Sequence, residues 1–243
     1  MTHGSLFAGI DGFGLAARWA GIETIWQVEN DKFCQKILAK HFPEAKRYGD
    51  INEIKIGELE SVDIISGGFP CQPFSQAGKQ GGKKDNRYLW PKMLEVISGV
   101  KPRWVIAENV PGIIGMELDT VLSDLEAEGY TTETFIIPAV SLNAPHRRDR
   151  VWIVANSNIG LLENEKIQSY KSQEVHRGTS EQINFNNTRI AYGKIWENLY
   201  NESDFLRNDD GLSDWVHRIK SLGNAIVPQI AYLFFSAIME IEK

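Results

Sequence analysis

Cys71 sits in the run Gly67-Gly68-Phe69-Pro70-Cys71-Gln72-Pro73-Phe74-Ser75, directly after a short apolar stretch at 62–66. The two glycines permit a sharp turn and Pro70 stiffens the entry, so this thiol is carried on a loop and not on an apolar face. A free thiol ionises near pH ~8.5, so only a few per cent is thiolate at neutral pH unless cationic groups stand nearby. An isolated cysteine is by default inert packing, and that reading holds for Cys34, which lies in a helix-period stretch. For Cys71 two further groups shift the balance. Glu108, in Glu108-Asn109-Val110, follows the apolar stretch 104–107, and Arg148 and Arg150, in His146-Arg147-Arg148-Asp149-Arg150, precede another at 151–155. A nucleophile, a carboxyl group and two guanidiniums are the parts of a site for covalent addition with stabilisation of developing charge. Alone, an acidic residue after a strand reads as a cap or a solvated side chain.

A second constellation lies near the N-terminus. Gly9, Gly12 and Gly14 follow the first apolar stretch in Ser-Leu-Phe-Ala-Gly-Ile-Asp-Gly-Phe-Gly, where they allow a tight turn and a close backbone approach to a ligand. Glu29 follows the second apolar stretch, where a carboxylate can accept both hydroxyls of a ribose. Asp50, after a third short strand, is placed to hold an adenine amino group. The glycine spacing departs from GxGxxG, which disfavours a nicotinamide cofactor and leaves an adenosine-bearing one, or an ordinary strand–helix turn. His3, His41, His146, His176 and His217 are scattered without ligand spacing, so no metal site is expected.

The elements that must position these groups alternate. Strands are predicted at 4–7, 23–28, 62–66, 104–107, 132–137 and 151–155, and helical stretches from 15–20 and over 32–41, 88–99 and 116–128. In the last of these, Leu118, Val121, Leu122 and Leu125 share one face. This rhythm implies βαβ units and a mainly parallel sheet with helices on both faces, an open α/β fold in which ligands bind at the carboxyl ends of strands. The rhythm breaks after Ala155. The stretch from Asn156 to about Ser221 is polar and lacks sustained periodicity. After Pro228, residues Ile230, Leu233, Phe234, Ala237, Ile238 and Ile241 fall on one helical face. The expected organisation is a catalytic and cofactor-binding domain over 1–156, a short irregular insert over 157–217, and a segment over 218–243 that returns to the sheet.

The chain has 243 residues, 42% hydrophobic and 24% charged, which suits one globular domain with a small appendage. The N-terminus lacks a signal-peptide layout and no run reaches a membrane span, so no membrane partner is expected. With two cysteines there is no disulfide framework, and a reduced, cytoplasmic setting is the default. The net charge of −6 argues mildly against nucleic acid. Locally the balance reverses: Lys79, Lys83, Lys84, Arg87, Lys92, Lys101 and Arg103 stand against only Asp85 and Glu95, and a phosphate backbone responds to that local field.

Taken together, FAGIDGFG, Glu29-Asn30, Gly49-Asp50-Ile51, GGFPCQPFS, Glu108-Asn109-Val110, HRRDR and the GNAIVPQ run at 223–229 resemble the cytosine-C5 DNA methyltransferases, in that family's order, over about 4–156 and 218–243. The resemblance implies a Rossmann-like S-adenosylmethionine-dependent fold and transfer of a methyl group to carbon 5 of a cytosine flipped out of double-stranded DNA. It implies that Cys71 adds to ring carbon 6, that Glu108 holds ring nitrogen 3 and the exocyclic amine, and that Arg150 binds the ring carbonyl with support from Arg148. Phe7, Gly9, Ile10 and Gly12 would line the cofactor pocket, with Glu29 on the ribose, Asn30, Asp50 and Ile51 about the adenine, Pro70 facing the cofactor, and Asn224, Ala225 and Ile226 closing it. Ser75, Lys79, Lys83, Lys84 and Arg87, from the loop over 75–88, would meet DNA together with Gln72.

The stretch 157–217 occupies the place of the family's target-recognition region. It is short and lacks a recognisable penultimate family motif, consistent with a short target, weak specificity or an impaired enzyme. Two other readings stay open. One is an RNA cytosine-5 methyltransferase, which Gln72-Pro73-Phe74 disfavours; the other is a DNA-binding or regulatory relative without catalysis. The expected partners are DNA and, for a restriction–modification enzyme, a cognate endonuclease, with a monomer as the working unit.

Overall fold

The computed structural model describes residues 1–70, 88–138, 149–157 and 225–243. In chain order these form β1 (Thr2–Leu6), α1 (Gly12–Trp19), β2 (Glu23–Val28), α2 (Lys32–His41), β3 (Lys46–Tyr48), β4 (Ile64–Gly67), α3 (Trp90–Val100), β5 (Trp104–Asn109), α4 (Leu118–Ala127), β6 (Thr131–Pro138), β7 (Asp149–Asn156) and α5 (Pro228–Ile241). One seven-stranded sheet runs β3-β2-β1-β4-β5-β7-β6. Every neighbouring pair is parallel except β5–β7 and β6–β7, so β7 alone runs against the rest. The strand order reverses between β1 and β4, the topological switch point at which open α/β sheets bind ligands.

Alternate strand residues feed two cores. Ile65, Val105, Ala107 and Ile153 pack with Trp90, Met93 and Ile97 of α3 and with Val121 and Leu125 of α4. Their neighbours Ile64, Ile106, Trp152 and Val154 pack on the other face with Phe13, Ala16 and Ala17 of α1 and with Ile230, Phe234 and Ile238 of α5. Helices therefore cover both faces, as the period-2 strands between period-3.6 stretches require. The helix α5 is tied down at its far end: Trp104 Nε1 donates to Glu242 Oε1 at 2.9 Å and Arg103 pairs with the same carboxylate.

Several boundaries differ from the sequence-based expectation, each for a local reason. The first strand ends at Leu6 because Phe7 turns into the left-handed region with φ of 52°. The first helix begins at Gly12, not near residue 15, because Asp11 caps it by accepting from the Gly14 amide. The fourth strand is Ile64–Gly67, so Gly67 belongs to the sheet. The fifth runs through Asn109, because Glu108 and Asn109 are paired with Trp152 and Val151 of β7. Glu108 and Arg150 thus lie within strands and not beside them.

His3 is fully buried on β1, with Nδ1 3.0 Å from Thr24 Oγ1 and Nε2 2.7 Å from Ser66 Oγ, under the ring of Phe235. Burial pushes its pKa from the ordinary 6.5 down to about 3. A folded pKa below the unfolded one means that the unfolded chain binds the extra proton. The stabilisation is complete above pH 6.5 and is lost as pH falls from there toward 3. The slope is ~1.4 kcal/mol per pH unit, so about 2 kcal/mol of folding stability disappears between pH 6.5 and 5. Urea midpoints at pH 7 and 5 test this. The wild type should show the loss and His3→Gln should lack that part of it; equal slopes for both would sink the assignment.

Candidate active site

The reversal of β7 is what assembles the site. Because β7 runs antiparallel, its first residues lie beside the last residues of β5. Arg150 Nε consequently donates to Glu108 Oε1 at 2.8 Å, with the two side chains 21% and 11% exposed. Arg150 also donates from Nη1 to the Asp149 carbonyl at 2.8 Å, which fixes the guanidinium in place. A half-buried, charge-assisted pair of this kind holds the carboxylate in one orientation.

The same edge receives the chain leaving β4. A Cβ built on Gly68 would stand 3.1 Å from Glu108 Oε2, so the backbone passes close by that carboxylate and any side chain there would press on it. Asn109 Nδ2 donates to the Phe69 carbonyl at 3.0 Å, and Asn109 Oδ1 accepts from the Val110 amide at 2.9 Å. The Phe69 ring packs against Trp90 at 5.1 Å between centroids. Chain entry to residue 70 is therefore held on both its polar and its apolar sides. Cys71 itself lies outside the described residues, as do Arg148, Asn224 and the expected DNA-contacting residues Gln72, Ser75, Lys79, Lys83, Lys84 and Arg87.

On the other side of the switch point lies the glycine-rich turn. Gly9 is left-handed with φ of 56° and would have open space around a Cβ. Its amide donates to Glu29 Oε2 at 2.6 Å, while the Asp31 amide donates to Glu29 Oε1 at 2.7 Å. Each carboxylate oxygen keeps a second lone pair, so Glu29 is pre-aimed and still able to accept ribose hydroxyls. Asn30 beside it is exposed. Asp50 uses Oδ1 to accept from the Asn52 amide and Nδ2, both at 2.9 Å, which leaves Oδ2 for an amino group next to buried Ile51. Phe7, Ile10 and Pro70 are half-buried. Gly12 is covered by the C-terminal segment: a Cβ there would stand 2.7 Å from Ile226 Cγ1. Acceptors placed in this way fit an adenosine-bearing group.

Sequence reasoning passed over Asp11, Ser5 and Gln27, which form a buried cluster behind this turn. The available signal was an aspartate directly before the first helical residue, a helix-start signature read only as part of the glycine run. It quoted Asn109 without assigning it a task. Among the described residues no cluster of His, Cys, Asp or Glu is arranged to hold a metal ion, and no helix is long and apolar enough to cross a membrane.

Comparison with known proteins agrees with this geometry. In solved structures the fold matches the E. coli protein described as a putative DNA modification methyltransferase encoded within a prophage, with a TM-score of 0.67 at 17% identity over all of both chains. It also matches the Entamoeba histolytica methyltransferase EhMeth, with a TM-score of 0.68 at 16% identity over 100% of this chain and 99% of that one. Among curated proteins, the type II methyltransferase M.NgoBI of Neisseria gonorrhoeae is 34% identical over 172 residues, 68% of this chain and 54% of its own length. M.HpaII of Haemophilus parainfluenzae is 39% identical over 163 residues, 63% of this chain and 45% of its own. The chain thus spans about half the length of the curated relatives it matches. The model of the C-5 cytosine-specific DNA methylases matches residues 1–212. With that match over most of its length, on a sheet that brings Glu108 and Arg150 together at the carboxyl edge of β5, the chain belongs to the C-5 cytosine-specific DNA methylase family.

Proposed function

We propose that the protein is a DNA (cytosine-5) methyltransferase that takes its methyl group from S-adenosylmethionine. The observation that carries this reading is the Glu108–Arg150 pair at the carboxyl edge of β5, 3.1 Å from where a side chain on Gly68 would begin, three residues before Cys71. Carbon 5 of cytosine is a poor nucleophile. Addition of the Cys71 thiolate to carbon 6 breaks the 5,6 double bond and places electron density on carbon 5. Glu108 holds ring nitrogen 3 and the exocyclic amine as charge develops, and Arg150 both binds the ring carbonyl and fixes the Glu108 carboxylate. S-adenosylmethionine, when bound, supplies the electrophilic methyl that carbon 5 accepts. A base then removes the carbon 5 proton, the carbon–sulfur bond breaks and the thiolate is released.

Within this reading Glu29 takes the ribose, Asp50, Asn30 and Ile51 surround the adenine, and Phe7, Gly9, Ile10, Gly12, Pro70 and residues 224–226 enclose the rest of the cofactor. Arg148 supports the base site. The base must leave the duplex first, at a cost of a few kcal/mol that contacts elsewhere offset. We assign those contacts to the basic stretch around Lys79, Lys83, Lys84 and Arg87, and target recognition to 157–217. The working unit is a cytoplasmic monomer acting on double-stranded DNA, either solitary or paired with a cognate restriction endonuclease.

Duplex DNA carrying 5-fluorocytosine tests the chemistry, because fluorine cannot leave as a proton does. The wild-type protein should form a denaturation-resistant adduct that requires S-adenosylmethionine. Binding of cofactor without an adduct in any cytosine context would overturn the active-enzyme reading, and bisulfite sequencing of host DNA would identify the target.

A further inference from the structure

Asp11 is 1% exposed and receives three hydrogen bonds from three different elements. Ser5 Oγ on β1 donates to Oδ1 at 2.8 Å, the Gly14 amide in α1 donates to Oδ1 at 2.7 Å, and Gln27 Nε2 on β2 donates to Oδ2 at 2.5 Å. Capping a helix needs only the second of these, and a capping residue ordinarily has extended backbone, whereas Asp11 is left-handed with φ of 58° and ψ of 62°. A non-glycine residue in that region persists only where its surroundings over-determine it. Here the carboxylate supplies that constraint, and Gly14 makes space for it: a Cβ on Gly14 would stand 2.2 Å from Oδ2.

The backbone of Asp11 transmits the constraint outward. Its amide donates to the Ala8 carbonyl at 2.7 Å, closing the turn over residues 8–11, and the Ala8 amide donates to the Val28 carbonyl at 3.0 Å. The turn so closed presents the Gly9 amide to Glu29 Oε2 at 2.6 Å. A continuous path therefore runs from the sheet interior, through Asp11, to the carboxylate that faces the crevice.

We propose that Asp11 is a positioning residue for the cofactor site: it locks the turn over residues 8–11 to β1, β2 and α1 and thereby pre-aims Glu29. This rests on reading the crevice as the S-adenosylmethionine site. Asp11 touches no substrate atom; it sets where Glu29 and Gly9 stand before the cofactor arrives, which is how preorganisation raises affinity.

Calorimetric titration of the full chain with S-adenosylmethionine, at a temperature where circular dichroism shows each variant folded, tests the proposal. Asp11→Gly favours the left-handed backbone but leaves all three donors unpaired. It should raise the cofactor Kd and KM at least about tenfold while kcat at saturating cofactor changes by less than about twofold. Asp11→Asn should stay within about threefold of wild type, because its oxygen accepts from Ser5 and Gly14 and its amide can meet Gln27 Oε1, which has no partner in the present orientation. Ser5→Ala, which removes one donor and keeps the backbone, should fall between them and serves if Asp11→Gly does not fold. Wild-type affinity in Asp11→Gly or in Ser5→Ala, or a fall in kcat without a change in KM, overturns the proposal alone. A wild-type protein that binds no S-adenosylmethionine overturns the cofactor reading and takes this inference with it.

Discussion

Cys71→Ala should abolish methyl transfer and covalent trapping together, with a loss in turnover on the order of ten-thousandfold to a millionfold, the scale seen when a covalent nucleophile is removed. The size follows from the chemistry. Without addition at carbon 6 there is no electron density at carbon 5, and positioning cannot substitute for it. Cys34, the other cysteine, is 6% exposed on α2, where Leu38, Phe42 and Ala45 form a separate packing cluster, so it cannot take over. Cofactor binding should survive, because the groups assigned to the cofactor, Pro70 apart, follow β1, β2 and β3 or belong to the C-terminal segment. Tritium transfer from labelled S-adenosylmethionine reads the turnover, and denaturing gels with 5-fluorocytosine DNA read the adduct. More than about one per cent of wild-type turnover in the alanine variant would end the covalent mechanism.

Glu108→Gln should slow single-turnover methylation by about a hundredfold to a thousandfold, the range for removing one preorganised electrostatic contact to a transition state. The amide is isosteric and its oxygen can still accept from Arg150 Nε, so folding stability should change by less than about 1 kcal/mol. Arg150→Ala behaves differently. It removes the same contact to the base and also leaves the Glu108 carboxylate, 11% exposed, without its 2.8 Å partner. Loss of stability on the order of 1–3 kcal/mol should accompany the loss of rate. The two changes combined should cost less than the sum of their separate effects on rate, since both act on one charge distribution. Rates come from rapid-quench measurements and stabilities from urea unfolding. Wild-type adduct formation in Glu108→Gln, or full additivity in the double variant, would remove Glu108 from the addition step.

Much of the fold could be read from periodicity. Glu23–Val28 and Lys32–His41 are the very ranges that the apolar pattern predicts, because both are bounded by local chemistry: Asp31 caps α2 by accepting from the Phe33 and Cys34 amides. Boundaries set by pairing with a distant strand were harder to read. Nothing near Glu108 in the chain indicates that β5 continues through it, since its partner Trp152 is supplied from far along the sequence. The direction of β7 was equally invisible. No helix was expected between the strands at 132–137 and 151–155, and the structure turns that missing crossover into an antiparallel return between β5 and β6.

The amino-acid sequence by itself determined which side chains are available and what chemistry they support: a thiol after two glycines, a carboxylate and a guanidinium each beside an apolar stretch, and a glycine-rich turn. These are properties of residue type and near neighbours, and they survive being read one segment at a time. Only the tertiary structure decided which of them meet. Glu108 and Arg150 are 2.8 Å apart because β7 reverses, and Asp11 is a buried hub because Ser5, Gly14 and Gln27 reach it from three elements. Contacts of that kind depend on sheet order and register, which are settled by burying two cores at once and not by any single stretch of the chain.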